Sequence, residues 1–303
     1  MSSQTQAYIY AGCVVLLWST VASAFKLSLR YVEAPHMLLY ATIVSAAVLF
    51  VVAAWQGKLG QALACSPRQY ARSAALGFLN PFLYYLVLFE AYDRLPAQEA
   101  QPLNYTWPVV VVLLSAPLLK QPIGRVSLAA IAVSFFGVLV ISTHGDLLAF
   151  RFSDPFGTAL AVGSAFIWAT FWLTNVRDDR DEVVKLLLNF AFGLVFVTVA
   201  ALALEGPPPL DLRGIAGSAY AGAFEMGVTF VLWLRALSLS RTTAQVSSLV
   251  YLAPFLSLVL INVVVGETIL ASTVVGLVFI VGGIVLRRFD RTAPQPSRSG
   301  RPS

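Results

Sequence analysis

Two short segments in corresponding positions of the chain carry the side chains best suited to binding a small molecule. The first has the sequence NYTWP, Asn104–Pro108, and the second has LVYLAP, Leu249–Pro254. Amide, phenol, hydroxyl and indole groups can all form hydrogen bonds with a ligand. A proline inside a helix removes a backbone hydrogen bond and bends the helix. This combination indicates a binding cavity, because polar groups that face lipid find no partners there.

The composition predicts that membrane-spanning helices position these segments. The chain of 303 residues is 58% hydrophobic and 12% charged, with a mean hydropathy of +0.78, whereas a soluble domain has about 25% charged residues. The charges cluster and leave apolar runs of about 20 residues, the length that spans a bilayer as a helix. We therefore predict an all-α polytopic membrane protein with ten transmembrane helices. The predicted spans are 8–30, 35–55, 70–91, 97–119, 125–143, 155–176, 183–204, 212–235, 243–265 and 270–288.

The distribution of basic residues predicts the orientation of the chain. An even number of spans places both termini on one side of the membrane. With the termini inside, the cytoplasmic segments hold 15 of the 20 Lys and Arg residues, which is the bias expected of inward-facing loops. Membrane orientation therefore explains the net charge of +5, and no nucleic-acid partner is indicated. We expect a multi-pass protein of the bacterial inner membrane with both termini cytoplasmic.

An internal repeat divides the chain into two halves. After a shift of about 145–150 positions, Tyr105 and Pro108 coincide with Tyr251 and Pro254. Each half has five predicted spans, an odd number, so the second half must enter the membrane inverted. Inverted repeats of this kind form secondary transporters, whose substrate site lies between the repeats. The predicted parts are a first five-helix repeat at 1–150, a second, inverted repeat at 151–290, and a disordered cytoplasmic tail at 291–303.

Three motifs, LLWST at 16–20, NYTWP and AFIWAT at 165–170, carry a resemblance. With the five-plus-five layout, the chain resembles the drug/metabolite transporter superfamily, EamA type, and within it the bacterial aromatic amino-acid exporters. The resemblance implies ten helices around a central cavity, which the first four spans of each half line and spans 5 and 10 brace. It also implies export of amino acids. The chain departs from the family pattern once, because Glu267 fits the acidic residue that often follows span 9 but Gln121 stands at the first-half position.

Tryptophans and one acid near the middle of the predicted spans are the main site candidates. An indole N–H or a carboxylate at that depth needs a partner that lipid does not provide. Glu225 could bind a substrate ammonium or carry a proton. The alternatives are packing between helices for the tryptophans and a protonated contact between helices for Glu225. The predicted substrate-binding residues are Trp18, Asn80, Tyr84, Asn104, Tyr105, Trp107, Trp168, Trp172, Glu225 and Tyr251. The predicted hinges are Pro81, Pro108 and Pro254.

We therefore expect a secondary transporter, not an enzyme, that exports aromatic and other hydrophobic or neutral amino acids by alternating access. No cofactor, metal site or nucleotide-binding loop is expected, since the two histidines and two cysteines are scattered. The expected partners are amino acids and the bilayer, and we expect a monomer. An exporter of drugs or hydrophobic cations is the alternative within transport, and a membrane-embedded lipid-modifying enzyme is a distant one. The sequence leaves open whether protons are exchanged.

Overall fold

The computed structural model describes residues 2–119, 123–148, 152, 154–175, 177–240, 249–286 and 289. The start of predicted span 9, the end of span 10, Gln121 and the predicted tail at 291–303 lie outside the described residues. Every regular element in the described part is helical, and no β-strand occurs there. The all-α prediction is confirmed for these residues.

The described residues form fourteen α-helices in chain order. Those of the first half are α1 (Ser3–Ser28), α2 (Ala34–Trp55), α3 (Leu59–Leu63), α4 (Pro67–Gly77), α5 (Tyr84–Arg94), α6 (Ala97–Asn104), α7 (Trp107–Leu119) and α8 (Arg125–Ser142). Those of the second half are α9 (Pro155–Asn175), α10 (Glu182–Leu204), α11 (Leu212–Ala221), α12 (Val228–Leu239), α13 (Ala253–Leu260) and α14 (Ala271–Leu286). Segments with π-helical hydrogen bonding connect some of them, at Phe78–Leu83, Gly222–Gly227 and Ile261–Val265.

Seven helical stretches of the described residues are long and apolar enough to cross a membrane. They are Ser3–Ser28, Ala34–Trp55, Pro67–Arg94, Arg125–Ser142, Pro155–Asn175, Glu182–Leu204 and Leu212–Trp233. Two shorter apolar helical stretches are Leu249–Val265 and Ala271–Leu286. The predicted span at 97–119 is divided between α6 and α7 and so does not form one long helix. The protein is a helical multi-pass membrane protein, and the ten-span layout stays a prediction.

The break between α6 and α7 follows from the local sequence. The Thr106 hydroxyl donates a hydrogen bond to the Leu103 carbonyl at 2.7 Å, and α7 then begins at Trp107 with Pro108 in its first turn. A proline costs little there, because the first N–H groups of a helix have no partner within it. Pro254 likewise lies in the first turn of α13. The sequence predicts bends within helices at Pro108 and Pro254. Pro108 instead begins a separate helix, whereas the helix of Pro254 directly follows the 3₁₀ turn Leu249–Leu252 inside one helical stretch, Leu249–Val265.

The helices pack into two bundles that each combine both halves of the chain. Helix α1 packs along α11, α12 and α13, and we call these four the α1 bundle. Helix α9 packs along α5, α6 and α7, and we call these four the α9 bundle. Helices α2 and α10 pack against each other, as do α8 and α14. The halves therefore interleave, and the surface between the two bundles contains residues from both.

Helices α8 and α14 approach closely through small residues. A Cβ atom placed on Gly137 would overlap the backbone carbonyl of Gly276 and the side chain of Ile280. The Ser134 hydroxyl donates a hydrogen bond to the Ile280 carbonyl at 3.1 Å. Small residues let helix backbones come into contact in a membrane, where van der Waals packing is the main attraction between helices. This pair corresponds to predicted spans 5 and 10.

Candidate functional site

A cavity of about 410 Å³ lies between the α1 bundle and the α9 bundle. Its volume falls within the usual range of small-molecule sites, about 300–1,000 Å³. Nine of the ten predicted substrate-binding residues line this cavity. They are Trp18, Tyr84, Asn104, Tyr105, Trp107, Trp168, Trp172, Glu225 and Tyr251. The structure thus brings together side chains that lie more than two hundred positions apart in the chain, such as Trp18 and Tyr251.

Asn80 is the predicted binding residue that lies outside the cavity lining. It is fully buried in the segment Phe78–Leu83, where its backbone leaves the helical conformation, with φ −150° and ψ 120°. Neither side-chain amide atom of Asn80 has a hydrogen-bond partner among the described residues. Pro81, a predicted hinge, follows in the same segment and lies close to Gly193 of α10. This segment therefore faces α10 rather than the cavity.

Ten of the twenty residues that line the cavity are aromatic. Trp168 on α9 is at the centre, with the Tyr84 ring centroid at 4.6 Å and the Trp172 centroid at 5.8 Å. On the opposite bundle, the ring centroids of Trp18 and Trp233 lie 5.8 Å apart. Offset and edge-on ring contacts at these separations are favourable and rigid. The wall can therefore sandwich an apolar or aromatic group without large rearrangement.

Trp233 lines the cavity but is not among the predicted binding residues. It lies near the end of predicted span 212–235, a position typical of interfacial tryptophan, yet its side chain is only 9% exposed. The predicted span 212–235 was too short, because helix α12 continues to Leu239. Tryptophan near a helix end is common at membrane interfaces, and so the sequence alone gave no signal to distinguish the two locations.

The Asn104 side chain is held in one orientation by two neighbours. Its amide nitrogen donates a hydrogen bond to the Ser164 hydroxyl at 2.8 Å, and its amide oxygen accepts a longer bond from the Tyr84 hydroxyl at 3.4 Å. The Ser164 hydroxyl in turn donates to the Ala161 carbonyl at 2.6 Å. Ser164 is fully buried, and it was not predicted as a site residue because a lone serine in a helix usually bonds its own backbone.

Glu225 carries the acidic charge of the cavity lining. It lies in the segment Gly222–Gly227, where the helix widens to π-type hydrogen bonding, a feature that often occurs at functional sites. The Tyr85 hydroxyl donates a hydrogen bond to one Glu225 carboxylate oxygen at 3.2 Å. It is the one side-chain hydrogen bond that Glu225 accepts among the described residues. The arrangement leaves acceptor capacity on the carboxylate that a cationic ligand group could use.

The remaining lining is nearly uncharged, with one basic residue at its edge. Arg177, just beyond the end of α9, lines the cavity and is exposed, so the cavity reaches the surface at this end. Two buried polar atoms of lining residues, the Trp18 indole nitrogen and the Gln101 side-chain oxygen, have no hydrogen-bond partner among the described residues. Buried polar groups normally have partners, and a bound polar ligand or water would supply them here.

The profile of the EamA-like transporter family matches two successive parts of the chain, residues 5–143 and 155–288. The chain belongs to the EamA-like transporter family. It is therefore a transporter of the drug/metabolite superfamily, and the resemblance stated from the sequence motifs is confirmed at the level of the family. Similarity to the aromatic amino-acid exporters in particular stays a prediction.

Curated relatives of this EamA protein are distant in sequence. An uncharacterized transporter of Archaeoglobus fulgidus is 23% identical over 290 residues, which cover 94% of this chain and 98% of the relative. Protein PecM of Dickeya dadantii is 25% identical over 221 residues, 71% and 72% of the two chains. A crystal structure at 22% identity, with a TM-score of 0.64, covers 95% of this chain and 99% of its own. At this identity it supports the fold alone.

An ionic cluster holds the segment between α9 and α10 of this EamA protein against α4, near Arg177. The Asp178 carboxylate pairs with Arg180 at 2.6 Å and with Arg72 at 3.5 Å. Burial alone would raise the pKa of Asp178, but hydrogen bonds from Arg180 and the two positive charges outweigh burial, and the net pKa is lowered. Asp178 is therefore ionised at neutral pH and fixes this connection.

Proposed function

We propose that this EamA transporter exports amino acids with aromatic or other hydrophobic side chains from the cytoplasm. The observation that carries the proposal is the Glu225 carboxylate, which accepts a hydrogen bond from Tyr85 in a cavity lined largely by aromatic and aliphatic side chains. A carboxylate with spare acceptor capacity can bind the substrate ammonium by a charge-assisted hydrogen bond. The rings around Trp168 would cover the apolar side chain.

The substrate carboxylate needs donors, and the neighbouring polar side chains could supply them. Asn104 and Tyr105 line the same cavity at the break between α6 and α7, and Tyr251 lines it from the 3₁₀ turn before α13. The Trp18 indole N–H, which lacks a partner among the described residues, is another donor. Aromatic walls with a few polar groups that fix orientation are typical of sites for small apolar ligands. Predicted binding roles for these residues are thus supported by their placement.

We further propose the architecture that alternating access requires. It comprises ten transmembrane helices in two inverted repeats, a monomer, and termini in the cytoplasm of a bacterium. The two successive family matches, at 5–143 and 155–288, support a duplicated chain. The interleaved α1 and α9 bundles supply two bodies that could rock about the cavity. The proposed repeats remain those at 1–150 and 151–290.

The test is counterflow in proteoliposomes loaded with unlabelled amino acid, following uptake of labelled phenylalanine, methionine or threonine. We expect uptake by the wild type, loss of uptake in Trp107→Ala and Glu225→Gln, and normal uptake in Trp55→Ala. Trp55 is 87% exposed and is not among the residues that line the cavity, so it provides the matched tryptophan control. Absence of uptake for every amino acid by correctly folded protein would reject the proposal.

An exporter of hydrophobic cations is the second candidate, favoured by the same Glu225 carboxylate and ring wall. Aromatic faces bind organic cations, and such substrates would need no donors for a carboxylate. Competition by cationic dyes, with no competition by phenylalanine, would support this candidate. Thermal stabilisation by a dye in the wild type but not in Glu225→Gln would locate the dye in the same cavity.

A further inference from the structure

Opposite the Arg177 end, the cavity is closed by contacts between the two bundles. The last residues lining this end are Phe25 on α1 and Tyr92 on α5, both buried, with ring centroids 5.3 Å apart in an edge-on contact. The connection between α5 and α6, residues 95 and 96, lies directly beyond them. We call this connection the α5–α6 turn. The sequence predicts that it faces the outside.

A lysine from the α1 bundle holds the first side of the α5–α6 turn. The Lys26 ammonium donates hydrogen bonds to the carbonyl oxygens of Tyr92 at 2.6 Å and Leu95 at 2.9 Å, with a longer contact to Asp93 at 3.3 Å. These carbonyls are at the end of α5, where the helix leaves its last acceptors without partners. A cation is also favoured at this end of the helix dipole.

A glutamate that follows α13 holds the other side of the turn. The two Glu267 carboxylate oxygens accept hydrogen bonds from the backbone N–H groups of Ala97 at 2.8 Å and Gln98 at 3.0 Å. These are the first N–H groups of α6, where an anion is favoured for the corresponding reasons. The Gln98 side chain bonds back to the same connection, to the Thr268 carbonyl and the Leu270 N–H, both at 2.8 Å.

The opposite end of the cavity lacks such a link in the described part of the chain. Ion pairs there, such as Arg72 with Asp178 and Lys58 with Asp181 at 2.7 Å, connect the α9–α10 segment to α4 and to the start of α3. None of the ion pairs between described residues at that end joins the α1 bundle to the α9 bundle. In the described part of the chain, Lys26 and Glu267 thus link the two bundles at the closed end of the cavity, and no ion pair between described residues links them at the Arg177 end.

We propose that Lys26 and Glu267 form a latch that keeps this end of the cavity closed, and that opening here requires both to release the α5–α6 turn. Helix α6 runs from the turn to Asn104 and is followed by Tyr105, so its movement would shift two cavity residues together. Release of the latch and rearrangement of the site would therefore be coupled. The inference deepens the proposed alternating access and rests on it.

The test measures access to the cavity from each side of the membrane and needs no substrate. Val111 lines the cavity and is partly exposed to it, so Val111→Cys in a chain with Cys13→Ser and Cys65→Ser reports access. A membrane-impermeant maleimide is applied to vesicles of both orientations. With the latch intact, we expect labelling in one orientation only. With Glu267→Gln or Lys26→Met, we expect labelling in both, and a rise of about tenfold on the previously closed side, the scale of one charge-assisted hydrogen bond.

The matched control is Glu90→Gln, the same substitution in an exposed pair with Arg94 near the same end. This control should leave labelling confined to one orientation. Labelling in one orientation only in both Glu267→Gln and Lys26→Met, with both proteins folded by thermal unfolding, would overturn the latch. The two substitutions lie in different parts of the chain, one in α1 and one in the connection before α14, so a folding defect in one leaves the other to decide. Failure of amino-acid uptake would not alter this readout, because no amino acid is present.

Discussion

The Tyr85 hydroxyl donates to the Glu225 carboxylate across 3.2 Å and so connects α5 of one bundle to the π-helical segment of the other. Tyr85 is completely buried, and its ring lies 4.6 Å from that of the cavity residue Tyr84, between centroids. The cavity carboxylate is therefore positioned by a residue that itself lies behind the cavity wall. Substrate affinity should depend on Tyr85 even though the substrate would not touch it.

Tyr85→Phe removes the hydrogen bond to Glu225 and leaves the ring in place. We expect the affinity for phenylalanine to fall about tenfold, because a hydrogen bond to a charged group contributes about 1.5–3 kcal/mol. Ligand-dependent thermal shift or calorimetry in detergent measures the change. Tyr70→Phe is the control, since the Tyr70 hydroxyl bonds the Ala62 and Leu63 carbonyls away from the cavity. Equal affinities for wild type and Tyr85→Phe would show that Tyr85 has no positioning role.

Ser164→Ala removes the acceptor that orients the Asn104 amide. We expect weaker phenylalanine binding, by about three- to tenfold, because Asn104 would lose the contact that fixes its rotamer. Equilibrium binding to the purified protein measures the effect. Ser218→Ala is matched to it, since Ser218 is equally buried and its hydroxyl bonds only the Gly214 carbonyl one turn back among the described residues. If both variants bind as the wild type does, Asn104 does not contact the substrate.

Gly137→Ala inserts a methyl group where α8 touches α14. The added Cβ would overlap the Gly276 carbonyl and Ile280, and overpacking of this kind costs about 1–3 kcal/mol. We expect a lower midpoint of thermal unfolding in detergent. Gly12→Ala is the control, since a Cβ at Gly12 meets nothing within 4 Å, and alanine favours the helix. An unchanged midpoint in Gly137→Ala would mean that the two helices can separate without loss of stability.

Asp178→Asn should destabilise the protein at neutral pH and not at low pH. The pKa of Asp178 is lowered in the folded protein, so the carboxylate stabilises the fold above its unfolded pKa of about 4. That contribution is lost as the pH falls through the lower, folded pKa. We expect a difference of about 1–3 kcal/mol at pH 7 that shrinks below about pH 4, measured by unfolding of wild type and variant.

The control for this pH dependence is Glu90→Gln. Glu90 and Arg94 form an exposed pair, and exposed pairs contribute about 0–1 kcal/mol. The stability of this variant should stay close to that of the wild type at every pH. A gap between the wild type and Asp178→Asn that persists undiminished at low pH would show that the ionised carboxylate is not the cause.

The sequence by itself determined the membrane class, the helical fold and nine of the twenty residues that line the cavity. In lipid, the backbone N–H and C=O groups of a long apolar run find hydrogen-bond partners only when the run is a helix. Polar side chains near the middle of such a run must find their partners inside the protein. That rule led to Trp18, Trp168 and Glu225, which the structure places in one cavity. Whether these residues bind substrate stays a prediction.

Only the tertiary structure decided which side chains meet. Position along a helix gives depth, but the packing of helices determines which face is turned to the cavity. Asn80 therefore lies apart, Trp233 enters the wall, and Tyr85 and Ser164 orient Glu225 and Asn104 from behind.

The contacts of Lys26 and Glu267 likewise could not be predicted from the sequence. Each joins a side chain to backbone groups on a distant helix end. Every helix end offers the same unpaired N–H or carbonyl groups, so residue types alone do not identify the partner. Only the packing of the two bundles against each other determines which helix end each side chain reaches.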